Sequence, residues 1–311
     1  MRYIVTGSCG FIGSNLVDML ISQGHIVIGI DNLSSDAHDQ FYYNYDDRAT
    51  YHKYNITDYV MCSDVFKRHK PDGVFHLAAE ARIQNCIQDP GLCFETNVIG
   101  TETMLSLCKK HGVPRMAFMS TSAIYGLNAG EVQKETDPTD CLNAYSLSKL
   151  HGEQICKLYS SMYGVDTVCF RGFNIYGKRM PKKGQYALVM GIFQRLLSEG
   201  KALTITGNGE QRRDFIHVDD VCRGLIAGME TTNAQNGSVY NLGTGRSLSI
   251  NHVANLMKKK WKNELPFQYL PKRAGEAMQT CADVCSIREN LSWEPKVSIE
   301  EWIDSLDSTL P

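Results

Sequence analysis

Along the first 170 residues, short unbroken apolar runs alternate with stretches whose apolar residues recur every three or four positions. Tyr3 to Val5, Ile26 to Ile30, Val74 to Leu77, Met116 to Met119 and Thr167 to Phe170 predict strands, and helical spacing predicts helices near 11–23, 58–69, 90–111 and 144–163. Strands apolar on both faces and separated by helices predict a doubly wound parallel sheet, covered on each side. Beyond residue 174 the rhythm changes. The stretch 176–186, rich in Gly, Lys and Pro, reads as a loop. A helix near 187–199 and a strand at 203–205 follow; 213–245 returns to strand-like character at Val239 to Leu242. The remainder predicts a helix near 251–261, a strand near 267–270 and a terminal helix after Pro295. The expected organisation is one α/β domain from 1–173 plus 213–245 and a smaller mixed α/β domain from 174–212 plus 246–311.

The first strand-to-helix turn reads Gly7-Ser8-Cys9-Gly10-Phe11-Ile12-Gly13, with Cys9 where a G-x-G-x-x-G pattern places its middle glycine. Gly7 lets the strand turn sharply, Gly10 lets backbone approach a pyrophosphate, and Gly13 lets the helix lie close to the sheet. The helix N-terminus then offers unpaired N–H groups to phosphate. A glycine triplet alone is equally a tight structural turn. Here it lies between a strand and a helix, and the next strand ends at Asp31. A carboxylate there accepts from both hydroxyls of an adenosine ribose and repels a 2′-phosphate, which favours NAD over NADP.

Tyr145 and Lys149 stand four apart at the start of a predicted helix, one turn apart on one face. A free phenol has a pKa near ~10 and is a poor base at neutral pH. A neighbouring ammonium, with an oxidised nicotinamide, favours the phenolate. Such a pair arises by chance on many helices. Behind a dinucleotide turn, with Ser120-Thr121-Ser122 closing the preceding strand, it gains meaning.

These segments, with His76 to Ala79, Asn97 to Thr101, Phe173 to Gly177, Arg213 to Phe215, Asn241 to Gly245 and Trp293 to Pro295, run almost end to end. Together they resemble the extended short-chain dehydrogenases/reductases, in particular the NAD-dependent sugar-nucleotide epimerase/dehydratase group. The resemblance implies a Rossmann-type fold with NAD held by Gly7, Gly10, Phe11, Ile12, Gly13, Asp31, Asn32, Asn55, Ile56, Leu77, Ala78, Ala79, Asn97, Tyr145 and Lys149. It implies that Tyr145 takes a sugar hydroxyl proton while hydride leaves that carbon for the nicotinamide. Thr121 would bridge hydroxyl and Tyr145, and Lys149 would hold the nicotinamide ribose. Ser122, Asn174, Tyr186, Arg213, Arg273 and Thr280 would contact a UDP-sugar, Asn174 and Arg213 at its diphosphate. Members that dehydrate the sugar carry an Asp-Glu pair after the Ser/Thr, and those that decarboxylate carry a Glu two positions on. This chain has Ser122 and Ala123 there, so 4-epimerisation leads, with another reaction of the family or a non-catalytic NAD-binding regulator as alternatives. Thr280 aligns where some 4-epimerases carry a bulky Tyr, and leaves room for a 2-acetamido group. A homodimer through the helices near 90–111 and 144–163 is implied as well.

Composition narrows the setting. Lys plus Arg is 32 against 34 for Asp plus Glu, a formal charge of −2, without the excess that drives non-specific nucleic-acid binding. Eleven cysteines are scattered without a Cys-x-x-Cys, which argues against a zinc site or a disulfide framework and for free thiols in a reducing compartment. No metal is expected. His76 reads as a hydrogen-bonded scaffold residue. With no leader pattern and no apolar run approaching ~18 residues, a soluble cytoplasmic protein is expected.

Overall fold

A computed structural model describes residues 1–35, 41–127, 131–183, 188–272 and 277–308. The chain begins β1 (Arg2–Thr6), α1 (Phe11–Ser22), β2 (Ile26–Ile30), β3 (Ala49–His52), α2 (Tyr59–His69), β4 (Gly73–His76), α3 (Ile83–Gln88) and α4 (Pro90–Phe94). A widened, π-helical turn (Glu95–Ile99) joins α4 to α5 (Gly100–His111), followed by β5 (Arg115–Thr121), a 3₁₀ turn (Ser122–Tyr125), α6 (Ala144–Tyr163) and β6 (Asp166–Gly172). Next come β7 (Ile175–Tyr176), α7 (Val189–Ser198), β8 (Thr204–Thr206), β9 (Arg212–Asp214), β10 (Ile216–His217), α8 (Val218–Glu230) and β11 (Ser238–Leu242). The chain closes with β12 (Ser247–Ser249), α9 (Ile250–Trp261), β13 (Gln268–Leu270), α10 (Cys285–Leu291) and α11 (Ile299–Ser305).

Seven strands pair in parallel in the order β11-β6-β5-β4-β1-β2-β3. The order reverses between β1 and β4, so the loops after those strands part and leave a crevice at their carboxyl ends, where ligands bind in such sheets. On one face Val5, Leu16, Leu20, Val221 and Leu225 form a core with α1 and α8; on the other Ile4, Phe66, Leu105 and Cys156 form a core with α2, α5 and α6. A third core gathers Tyr176, Met190, Phe193, Leu203, Val253, Met257 and Ile303 from α7, α9, α11 and their neighbours.

Differences from the sequence pattern are local. Within 213–245 the sequence pattern predicts only strand, whereas α8 presents Val218, Val221, Cys222, Leu225 and Met229 at helical spacing. It starts where the His217 side chain accepts from the Asp219 N–H. The short elements β3, α3 and α10 lack an apolar run long enough to announce them. Residues 282–293, assigned from the sequence to the second segment, send Ala282, Val284, Ile287, Leu291 and Trp293 into the first core. Asp220, fully buried on α8, anchors that return: its backbone carbonyl accepts from Trp293 Nε1 at 3.0 Å and its carboxylate from the N–H groups of Lys296 and Val297.

All eleven cysteines are free thiols, nine of them buried. Among the described residues, no helix is long and apolar enough to cross a membrane.

Candidate active site

The glycine turn closes one side of the crevice. Gly7 has φ +67°, and a Cβ there would come 2.9 Å from the Ala78 nitrogen; one on Gly13 would come 2.0 Å from the Gly7 carbonyl oxygen. These positions therefore let the turn meet both the 77–78 loop and the start of α1 at backbone contact. The N-cap of α1 is Gly10, no side chain caps the helix, and its first turn carries no acidic residue. The leading N–H groups, of Phe11, Ile12 and Gly13, thus remain for an anion. Asp31 ends β2, its Oδ2 accepting from Cys9 N at 3.0 Å and its Oδ1 from Leu33 N at 2.9 Å. The carboxylate thereby fixes the turn that it borders. The loop of Tyr42, Tyr43 and Tyr45, whose number alone carries no meaning in the sequence, covers this turn: Tyr42 N donates to the Cys9 carbonyl, and the Tyr43 hydroxyl meets the Cys9 thiol, which burial and Asp31 push up to about 12.

The floor of the crevice is a relay of hydroxyls around His76. Thr101 Oγ1 donates to the Asn97 carbonyl at 2.6 Å, so it accepts from His76 Nε2 at 3.1 Å. The proton is therefore on Nε2, and Nδ1 accepts from Thr6 Oγ1 at 2.8 Å. The Thr6 oxygen, its proton given away, accepts from both Leu77 N and Ala78 N at 3.1 Å. Burial, aided by the Lys149 charge, drives the His76 pKa down to about 3, so the ring stays neutral. His76 is the scaffold residue that the sequence suggests.

Several expected cofactor residues have their side chains engaged within the chain. The Asn97 amide donates to Glu80 O and Ser148 Oγ while its Oδ1 accepts from Glu80 N, which ties the loop after β4 to α6. Its role here is to position that loop. Asn32 Oδ1 accepts from the N–H and hydroxyl of Ser34, and Asn55 Oδ1 accepts from Thr57 N. The Ile56 side chain belongs to the core beneath α5, leaving only its backbone to face a ligand.

Tyr145 and Lys149 open α6, whose N-terminus carries a reciprocal capping box between Asn143 and Ser146. The Tyr145 side chain hydrogen-bonds to Thr121, whose Oγ1 also accepts from Ala123 N at 3.1 Å. Burial pushes the Tyr145 phenol up to about 12, the Thr121 bond opposing it. Lys149 is only 3 % exposed, with Nζ 4.3 Å above the Phe118 ring and no hydrogen-bond partner among the described residues. Burial brings its pKa down to about 8, opposed by the nearby Cys156 and Glu153. The acidification of Tyr145 by Lys149 expected from their spacing is thus not among the interactions of the chain itself. An orphaned, nearly buried ammonium beside a crevice with an uncapped helix end fits a dinucleotide: ribose hydroxyls for Lys149, pyrophosphate for α1.

Behind the pair lies a buried network the sequence did not reveal. Arg171 and Glu153 form a two-pronged ion pair, each side chain about one-twentieth exposed. Ser120 Oγ donates to Glu153, and the Tyr125 hydroxyl accepts from Arg171 and donates to Asn241.

The far wall is built around Asn174, Asp214 and Thr280. Asn174 Nδ2 donates to the Asp214 carbonyl at 2.9 Å and to Thr280 Oγ1 at 3.3 Å. The buried Asp214 carboxylate accepts from Thr244 N, Thr244 Oγ1, Gly245 N and Ala282 N, joining three chain segments next to Arg213. The sequence marks Arg213-Asp214-Phe215 as a motif but gives no sign of that role. Ser122 and Thr280 share the wall of a cleft of about 370 Å³. Tyr186 and Arg273 lie outside the described residues.

The family model for the NAD dependent epimerase/dehydratase family matches residues 3–243. The structure is similar to that of a UDP-glucose 4-epimerase from Thermotoga maritima with UDP-glucose, with a TM-score of 0.91 and 35% identity over 98% of this chain and 96% of that one. It is also similar to a UDP-N-acetylglucosamine 4-epimerase from Methanobrevibacter ruminantium in complex with UDP-N-acetylmuramic acid, with a TM-score of 0.91 and 30% identity over 97% and 96%. A UDP-glucuronate 4-epimerase from Thermodesulfobacterium geofontis is 30% identical over 96% of this chain and 93% of its own. Glycine turn, crevice and sequence similarity thus agree, and the chain belongs to the NAD-dependent epimerase/dehydratase family, as a nucleotide-sugar enzyme with NAD as its cofactor.

Proposed function

We propose that this chain inverts C4 of a UDP-hexose, UDP-glucose/UDP-galactose and the N-acetylated pair UDP-GlcNAc/UDP-GalNAc, through a transient 4-keto sugar. The observation that carries the reading is Tyr145 hydrogen-bonded to Thr121 at the crevice, with Ser122 and Ala123 where elimination or decarboxylation would require carboxylates. Bound NAD supplies a hydride acceptor at C4 of its nicotinamide. Thr121 orients the sugar 4-hydroxyl toward Tyr145, and Tyr145 takes its proton. With the phenol held near 12 by burial, that transfer depends on added positive charge close by, and the Lys149 ammonium anchors the ribose that brings it. After the ring has turned over, C4 would regain the hydride on its other face as Tyr145 returns the proton, so NAD would end unchanged. Asn174 and Arg213 face the diphosphate, and the smaller lobe, 174–212 plus 246–311 without the 282–293 segment that packs in the first core, holds the nucleotide sugar against the NAD domain.

Exposed Ile87, Leu92 and Ile99 from α3 to α5 and Leu147, Leu158 and Met162 on α6 provide the apolar surface for a homodimer. Its many free thiols suit a reducing, cytoplasmic setting.

Proton NMR of UDP-glucose and UDP-GlcNAc incubated with the enzyme should show the galacto isomers without net NADH release. Tyr145→Phe should lower the rate about 10²–10⁴-fold while NAD stays bound. A fully active Tyr145→Phe enzyme, or a stable keto product, refutes the reading. Thr280→Tyr should reduce turnover of the N-acetyl sugar relative to UDP-glucose; unchanged N-acetyl turnover would remove Thr280 as the gate.

A further inference from the structure

The cleft beside Ser122 and Thr280 is about 370 Å³, room for roughly twelve waters at about 30 Å³ each and far more than one hydroxyl needs. Its remaining walls include Tyr125, Leu127, Met278 and Gln279, and Glu131 is the one charged side chain among its described lining residues. The backbone of Glu131 is held at the rim. Gln279 Nε2 donates to the Glu131 carbonyl at 3.1 Å, and two residues on, Gln133 is clamped to the opposite wall through Gln133 N to Cys281 O and Asp283 N to Gln133 O.

Epimerisation at C4 sets what this cleft must accept. To offer the other face of C4 while C1 stays tethered to the diphosphate, the sugar must turn about the line through C1 and C4. That turn exchanges the C2–C3 edge with the C5–C6 edge. The wall at Ser122 and Thr280 therefore meets the C2 substituent in one pose and the C6 group in the other. The C6 hydroxymethyl and a C2 hydroxyl or acetamido group are all neutral, so this wall meets no charge in either pose. A hexuronate would bring its C6 carboxylate toward Glu131 in one pose, where like charges repel.

We propose that Glu131 is a charge filter that admits neutral UDP-hexoses to the turnover and excludes UDP-hexuronates. The inference rests on the 4-epimerase reading and deepens it, since the similarity to both glucose and glucuronate epimerases does not assign the C6 group.

The test compares kcat/KM for UDP-glucose and UDP-glucuronate, by NMR, in wild type, Glu131→Gln and Glu131→Lys. The wild-type ratio should favour UDP-glucose, and Glu131→Gln should reduce it at least fivefold, Glu131→Lys further. Because both substrates share one enzyme preparation, partial loss of folded protein cancels in the ratio. Raising salt should narrow the wild-type ratio and leave that of Glu131→Gln unmoved, as a screened charge requires. A wild type that handles UDP-glucuronate as well as UDP-glucose, or a ratio in Glu131→Gln within fivefold of wild type, overturns the filter. Failure to epimerise any UDP-hexose overturns the 4-epimerase reading itself, and the filter with it.

Discussion

Replacing Lys149 by methionine should stabilise the NAD-free protein while abolishing its chemistry. The ammonium lies in the second core with a ring face for company, 4.3 Å below Nζ, and no hydrogen-bond partner among the described residues. Its pKa falls from 10.5 to about 8, chiefly because burial disfavours the charged form. At about 1.4 kcal/mol per pH decade, holding the proton at neutral pH costs the fold about 3 kcal/mol. Methionine fills the same channel without a charge and sets its sulfur against Phe118. The direction with pH follows. Between about 8 and 10.5 the unfolded chain keeps a proton that the folded chain has released, so wild-type stability from this group rises with pH. The advantage of the variant should shrink from about 3 kcal/mol at pH 7 to about 1.4 kcal/mol at pH 9.5. Beyond pH 10 the buried Tyr145, pushed up to about 12, acts oppositely, so measurements belong below it. Urea denaturation of both proteins at pH 7, 8.5 and 9.5 provides the comparison. A variant no more stable at pH 7, or a difference that ignores pH, refutes the reasoning. Such an outcome would mean that the ammonium is satisfied without cofactor, and that the stability the enzyme forgoes is not tied to its chemistry.

Two further substitutions probe the frame around the site. Gly13→Ala places a methyl 2.0 Å from the Gly7 carbonyl, so α1 must shift away from the turn; a loss of about 3 kcal/mol and of bound NAD is expected, and full NAD content after purification would contradict it. Arg171→Leu leaves the Glu153 carboxylate buried without its cation, and should cost about 3–5 kcal/mol in urea denaturation. A milder loss would show that Ser120 and neighbouring groups suffice to hold the charge.

Legibility from sequence tracks distance along the chain. Helix α6 reads correctly at both ends because a capping box, an apolar stripe and Gly164 beyond its last residue are all local signals. Gly7, Gly10 and Gly13 are equally local and fall where the turn requires them. The family resemblance assigns Asn97 and Asn174 to ligands, and both amides also make contacts across the fold, to Glu80 and Ser148 and to Asp214 and Thr280. Those partners are 17 to 106 positions away, and no periodicity encodes them. The Tyr145–Lys149 spacing gives one helical face but not depth, and depth is what lifts one pKa and lowers the other. The Arg171–Glu153 pair is silent for the same reason: a charge inside an apolar run reads as an interruption until its counterion is seen.

The widened turn at Glu95–Ile99 constrains how this protein can change length. One surplus residue there lets Asn97 reach toward Glu80 and Ser148 while Thr101, four positions later, reaches His76. Deleting one residue would tighten the turn to ordinary helix, and because the wide turn already absorbs the surplus residue, α4 and α5 would keep nearly the same rotation about the axis. What a deletion costs then depends on whether Asn97 keeps its place between Glu80 and Ser148 while Thr101 keeps His76. Removing Asn97 should therefore damage the site, removing the exposed Glu95, which leaves the Asn97–Thr101 spacing intact, should be tolerated better, and a scan of single-residue deletions across the turn would read out which position is the surplus one.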